Sequence, residues 1–194
     1  MLRMSRQTIL VRCAASLVLY LVLAACASTK SETPYNLGVA AYKKKDYSVA
    51  ATQWAKAVAL DDTKAMNNLG FLLYNGYGVD KNVARSMELW RKAAATGESE
   101  SQWHLGRAYE TGVGAERNLS IAFAWYRCSI ATVSENLTAN TRDHATEVTI
   151  LQDVQASLDN LQRSLSASQL EQGRALAAEY IAKYAKQARE QPHH

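Results

Sequence analysis

Leu69-Gly70-Phe71-Leu72-Leu73-Tyr74-Asn75-Gly76-Tyr77-Gly78-Val79 returns 36 residues later as Leu105-Gly106-Arg107-Ala108-Tyr109-Glu110-Thr111-Gly112-Val113-Gly114-Ala115. The leucine and all three glycines keep their places, as do Asn82 with Asn118 and the aromatic pair Trp90 with Tyr126. A fixed period of this length marks stacked copies of one supersecondary unit, none of which buries its apolar face alone. An earlier copy stands at Leu37-Gly38 with Trp54, Lys56 and Ala57, 36 residues before Trp90, Lys92 and Ala93. Its turn is four residues shorter and reads Lys43-Lys44-Lys45-Asp46 in place of the glycines.

Within each unit the Leu-Gly pair is followed three and four positions on by aromatic or aliphatic residues, the spacing of one helical face. Glycine inside a helix costs about 1 kcal/mol against alanine. Gly38, Gly70 and Gly106 therefore point to close approach, with Trp54, Trp90 or Tyr126 of the second helix lying over the missing side chain. The glycines of the turn permit positive φ where the chain reverses, and Asn82 and Asn118 then cap the second helices. Asp46 is placed to cap a helix from Tyr47 to Leu60, Gly97 to end the fourth helix, and Ser99 with Gln102 to form a capping box for the fifth. Two further helices are predicted, Arg142 to Arg163 and Ser168 to Arg189. The latter opens at Ser168 with Glu171 and carries Leu170, Leu176, Ala177, Tyr180, Ile181 and Tyr184. Such a pair would cover the exposed end of the last repeat. The expectation is an all-α chain: hairpins at 35–60, 65–97 and 101–130, then capping helices over 131–190.

These residues resemble the Sel1-like repeats, a tetratricopeptide-related family with a Leu-Gly helix, a Tyr-x-x-Gly-x-Gly-Val turn and a Trp-Tyr-x-x-Ala helix. The matching text is Leu69 to Ala94 and Leu105 to Ile130, with Ala122-Phe123-Ala124-Trp125-Tyr126 close to the family's second helix. The helix Leu170 to Ala185 is similar to a tail common in bacterial members. The resemblance, over Tyr35 to Ile130, implies a short right-handed α-solenoid with a C-terminal capping helix pair, and a role in protein–protein interaction. The first unit departs from the family by lacking the glycine turn and looks more like an ordinary tetratricopeptide repeat. A cysteine-rich branch, some of whose members bind or hydrolyse β-lactams, pins each hairpin with a disulfide. This chain has only Cys128 among its repeats, so that activity is not carried over.

The N-terminus adds a location. Arg3, Arg6 and Arg12 precede an uncharged apolar run from Ala14 to Ala25, a positive n-region followed by an h-region. That run is shorter than the ~20 residues of a membrane-spanning helix, and polar chain follows it. Leu23-Ala24-Ala25-Cys26 resembles the lipobox of bacterial lipoproteins, which implies cleavage of residues 1–25 and a lipid, a palmitate or similar acyl group, on Cys26. Residues 26–34 would be the acylated linker. By the same resemblance Ala27, which is not acidic, sorts the protein to the periplasmic face of the outer membrane. With the leader gone the net charge of +4 falls to about +1, which gives no support to nucleic-acid binding. Cys128 is left with no partner for an internal disulfide, and about 169 residues remain, enough for one domain.

Catalytic chemistry finds little footing in the sequence. His104 aligns with Asn68, His144 stands alone, and His193 and His194 end the chain as two lone ligands on a tail, a poor metal site. No motif supplies a nucleophile, base and orienter that converge, so the chain is read as a non-enzyme with no cofactor beyond the lipid. Cys128 reads as a small buried thiol and Lys43-Lys44-Lys45 as a solvated turn. Stacked hairpins present a surface made by their first helices that holds an extended segment or a partner's helix. Asn36, Asn67, Asn68, Trp103, His104 and Arg107 are the candidate groove residues: amides for a ligand backbone, Trp103 as an apolar anchor, Arg107 for a carboxylate. The function expected is an envelope-anchored adaptor or scaffold for a protein partner of unknown identity, aiding assembly or regulation of an envelope complex. A cell-wall or β-lactam-related hydrolase and a structural lipoprotein without a dedicated partner stand as alternatives.

Overall fold

Eight α-helices follow one another in the computed structural model, which describes residues 32–139 and 144–185. They are α1 Pro34–Lys43, α2 Tyr47–Val58, α3 Thr63–Asn75, α4 Val83–Ala95, α5 Ser99–Thr111, α6 Leu119–Ala139, α7 His144–Gln162 and α8 Ala167–Tyr180; a π-helical turn, Ile181–Ala185, continues the last. The leader, Cys26, His193 and His194 lie outside the described residues. There is no strand among the described residues. Helices α1 and α2, α3 and α4, and α5 and α6 pack as hairpins, and the second helix of each of the first two hairpins also packs on the first helix of the next. The result is a short α-solenoid. No helix among the described residues is long and apolar enough to cross a membrane.

What closes each hairpin is a ring seated on a glycine. A Cβ on Gly38 would stand 2.4 Å from the Trp54 ring, one on Gly70 2.6 Å from Trp90 Nε1, and one on Gly106 2.5 Å from the Tyr126 ring. All three are closer than non-bonded carbon contacts allow, so only glycine admits the ring. In the first two units the seated indole N–H donates to a carbonyl three residues before the glycine, Tyr35 at 3.3 Å and Asn67 at 3.2 Å. The third unit has a phenol in that place, and its hydroxyl donates instead to Glu110 Oε2 at 2.5 Å.

The two turn glycines have different tasks. Gly76 and Gly112 take left-handed φ of 77° and 79°, and their N–H groups donate to Leu72 and Ala108, ending α3 and α5. Gly78 and Gly114 are also left-handed, but each additionally lies against the previous hairpin. A Cβ on Gly78 would meet Ser48 N at 2.4 Å, and one on Gly114 would meet Val83 at 2.8 Å and Met87 at 2.9 Å. The glycine turn of one unit thus seats on the second helix of the unit before it. No described hairpin precedes the first unit, and its Lys43–Asp46 turn needs no such glycine. Lys45 takes the positive φ there, 63°, and all three lysines are exposed.

Local caps follow the sequence in part. Asp46 accepts from Val49 N, Asn82 from Arg85 N and Asn118 from Ile121 N, and Gly97, at φ 83°, follows the end of α4. The capping box expected at Ser99 and Gln102 is corrected: Glu98 holds the N-cap without a side-chain bond, and Ser99 is buried. Gln102 is drawn into the core instead, where it donates to the Ala94 carbonyl at 3.2 Å and accepts from Thr132 at 2.9 Å. The last helix opens two residues earlier than expected, at Ser166, whose capping box is with Gln169. It leaves α geometry at Ile181.

Helix α6 runs to Ala139 rather than ending near residue 130, and it is the hub of the C-terminal half. It packs against α5, α7, α8 and the π-helical turn, and α7 and α8 each pack on it rather than chiefly on one another. A helix so surrounded buries apolar residues on several faces: Leu119, Phe123, Trp125, Tyr126, Cys128 and Val133 are all buried, while Arg127 stays exposed. Gly173 on α8 repeats the seating device, since a Cβ there would stand 2.9 Å from the Phe123 ring.

Candidate binding groove

A run of touching rings crosses the first helices from unit to unit. Trp54 meets Tyr42 at 5.6 Å between centroids, Tyr42 meets Tyr47 at 5.3 Å, Tyr47 stacks on Tyr77 at 5.5 Å, and Tyr77 meets Phe71 at 5.9 Å. Phe71 then reaches His104 at 6.1 Å, and His104 stacks on Trp90 at 4.4 Å. Each such pair contributes about 0.5–1.5 kcal/mol beyond its buried area, so the run ties three hairpins together while leaving Tyr42 and Tyr77 exposed.

Beside this run lies a cavity of about 400 Å³ whose wall includes Tyr35, Val39, Tyr42, Asn68, Phe71 and Glu100. It continues through shared residues Tyr35, Asn67, Asn68 and Glu100 into a second of about 200 Å³ that reaches Lys64 on α3 and Thr146 and Ile150 on α7. Together they form a groove along α1, α3 and α5, closed at one side by α7. Burial first, and then the carboxylates of Asp62, Glu98 and Glu100, push the Tyr35 phenol above its ordinary range, with a hydrogen bond to Asn68 working against them. The Tyr42 phenol is raised by burial, then by Tyr47, Tyr77 and Glu100. Both phenols therefore stay protonated and can donate. Aromatic walls with amide, hydroxyl and carboxylate groups between them suit a segment that buries an apolar side chain and pairs its backbone.

The six residues expected in the groove separate. Asn68 lines both cavities. Asn67 also borders them but is buried, its amide donating to Glu100 Oε2 at 2.8 Å and accepting from Ser101 at 2.9 Å, so it joins α3 to α5. Asn36 is exposed at the edge of α1, outside the cavity walls. Trp103 is half-buried against the cap: its indole N–H donates to Ser157 Oγ on α7 at 3.1 Å, and Arg107 lies 5.6 Å over its ring. His104 and Arg107 line a smaller cavity of about 90 Å³ with Phe71, Tyr74 and Trp90. Burial, with Arg107 adding to it, pushes the His104 imidazole down to about 3. It is a neutral ring packed among aromatics. Cys128 is buried, its thiol donating to the Tyr180 carbonyl at 3.5 Å, and burial raises it to about 12.

Sequence reasoning missed Tyr35, Val39, Tyr42, Phe71 and Glu100. The signal for two of them was the repeat register: Tyr35 stands three residues before Gly38 as Asn67 does before Gly70, and Tyr42 four after Gly38 as Tyr74 does after Gly70. No group of three or more His, Cys, Asp or Glu among the described residues is arranged to hold a metal ion.

Comparison with known proteins agrees with this geometry. The Sel1 repeat family model matches residues 63–97 and 99–131, the second and third hairpins, and leaves the glycine-free first hairpin unmatched. Among solved structures the chain is similar to a protective antigen of uropathogenic Escherichia coli strains that displays an SLR fold, at 27% identity and a TM-score of 0.66, over 87% of this chain and 34% of that one. It is also similar to a Sel1 repeat protein from Oxalobacter formigenes, at 26% identity and a TM-score of 0.49, over 64% of this chain and 54% of the other. The chain thus spans about a third of the first of these and about half of the second. No curated protein matches. Sel1 repeats generally serve as scaffolds for protein interaction, and the fold is generally non-catalytic.

Proposed function

We propose that this chain, whose second and third hairpins match the Sel1 repeat, is an adaptor lipoprotein of the bacterial envelope that holds a segment of a protein partner in the groove of α1, α3 and α5. The observation that carries this reading is the aromatic-walled groove, where exposed Tyr42 stands next to Tyr35, Phe71, Asn68 and Glu100. An apolar, aromatic-walled concavity with a few convergent polar groups is the usual form of a binding site. Supporting the anchor are the positive n-region, the short apolar run and the Leu23-Ala24-Ala25-Cys26 sequence. Acyl chains buried in lipid, at ~0.8 kcal/mol per CH₂, would hold the solenoid at a membrane surface, on this reading the periplasmic face of the outer membrane, where it aids assembly or regulation of an envelope complex.

Two experiments test the two parts. Mass spectrometry of the membrane-extracted protein is expected to show a mature N-terminus at an acylated Cys26, and Cys26→Ala is expected to leave the chain unprocessed. An unmodified Cys26 in a chain that keeps residues 1–25 overturns the anchor. For the groove, affinity purification is expected to recover one envelope protein with the wild-type chain and to lose it with Tyr42→Ala and with Asn68→Ala. Recovery unchanged in both variants overturns the groove as the binding surface.

A further inference from the structure

A separate cavity lies away from the groove. It has about 420 Å³, and none of its wall comes from α1, α3 or α5. Phe123 of α6, Ala177 of α8 and Ile181 of the π-helical turn supply the apolar part, while Arg127 of α6, Arg174 of α8 and Gln162 of α7 supply the polar part. Both arginines are exposed. Among the described residues no carboxylate lines this cavity, and neither guanidinium has an ion-pair or hydrogen-bond partner.

Two permanently charged guanidiniums facing one space without a counter-charge repel each other and favour an anion between them, which their planar donors hold in a forked geometry. The apolar part lies within the same cavity, so the anion that fits also carries an apolar portion. The volume falls within the range of small-molecule sites, about 300–1,000 Å³. A peptide laid there would bring backbone N–H and C=O groups that need partners, and among the described residues Gln162 is the one neutral polar side chain on the wall. Helix α8 passes into π geometry at Ile181, on this wall.

We propose that this cavity binds an anionic amphiphile, a single carboxylate or phosphate headgroup on an apolar chain, with Arg127 and Arg174 on the headgroup and Phe123, Ala177 and Ile181 under the tail. This site is independent of the groove and of any partner held there.

Calorimetric titration of the full-length chain tests it with four probes below their micelle concentrations: decanoate, decyl phosphate, decyltrimethylammonium and acetate. Saturable one-to-one binding of decanoate or decyl phosphate is expected, the tighter of the two identifying the headgroup, with no binding of the cationic probe or of tailless acetate. Arg127→Gln and Arg174→Gln are each expected to weaken the anionic probe by about tenfold or more, the loss of one charge-assisted hydrogen bond. Ala178→Trp, at an exposed position on the same wall, is expected to block the tail while leaving both arginines in place. That variant keeps the test sharp should an arginine variant fail to fold. Equal binding of the cationic probe, or anionic binding untouched by all three substitutions, overturns the proposal. So does displacement of bound decanoate by a short Asp/Glu-rich peptide, which would assign the arginines to a protein partner.

Discussion

Trp90 Nε1 donates to the carbonyl of Asn67 at 3.2 Å, and the same nitrogen lies 2.6 Å from where a Cβ on Gly70 would stand. A methyl group at residue 70 therefore displaces the indole and breaks its hydrogen bond. At an exposed helical site glycine to alanine stabilises by up to about 1 kcal/mol. Gly70→Ala is expected to do the opposite, destabilising by about 1–3 kcal/mol through overpacking. Urea denaturation gives the sign directly, and a stabilised variant would mean that the ring is not seated there.

The two glycines of one turn are expected to respond differently. A Cβ on Gly76 would find its nearest neighbour, the Lys81 side chain, at 3.3 Å, whereas one on Gly78 would stand 2.4 Å from the backbone nitrogen of Ser48. Gly76→Ala then costs about 1–2 kcal/mol for the left-handed conformation alone. Gly78→Ala costs more and opens the junction between the first and second hairpins. Hydrogen exchange is the second readout: Gly78→Ala speeds exchange at the start of α2, and Gly76→Ala leaves it unchanged.

Most of the fold was legible because the repeat writes each structural demand twice. Gly70 and Gly106, Gly78 and Gly114, and Asn82 and Asn118 are paired observations, and a requirement seen at one member predicts the other. Where the chain stops repeating, local signals competed. Ser99 with Gln102 has the spacing of a capping box, yet burial against Thr132 and Ala94 outweighs the cap. Ser168 with Glu171 and Ser166 with Gln169 are rival boxes two residues apart, and the structure takes the second. Arg107 lines a separate, smaller cavity, whereas in the groove Asn68 was legible as a first-helix polar residue. Tyr35 and Tyr42 were not, because in sequence an aromatic at helical spacing reads as core, and only the stacking of α1 on its neighbours shows which ring stays open.

Asn67 illustrates how a polar residue that looks available can be committed to the interior. Its amide donates to Glu100 and accepts from Ser101. Asn67→Ala removes these bonds and strands the buried Ser101 hydroxyl, at an expected loss of about 1–3 kcal/mol in a denaturant melt. A neutral outcome would return Asn67 to the groove as a free contact.

His104 gives the fold a dependence on acid. The unfolded chain protonates this residue near its ordinary 6.5, whereas burial, then Arg107, holds the folded imidazole neutral down to about 3. The unfolded state thus binds more protons between those values, so stability is intact above pH 6.5 and falls as pH drops toward 3, with a slope of up to about 1.4 kcal/mol per pH unit from this one group. His104→Phe keeps an aromatic against Trp90 and removes that slope. Denaturant melts of both proteins at pH 7, 5 and 4 check it: the wild type should lose more stability than the variant, and parallel curves would show that His104 is not shielded.

The groove itself is tested most directly by photo-crosslinking in cells from Tyr42 and Asn68 on the first helices, with exposed Lys92 on α4 as the comparison. The same single protein captured from Tyr42 and from Asn68, absent at Lys92, is the predicted result. Capture at Lys92 equal to that at the groove positions, or none at Tyr42 and Asn68, would contradict a partner-binding groove.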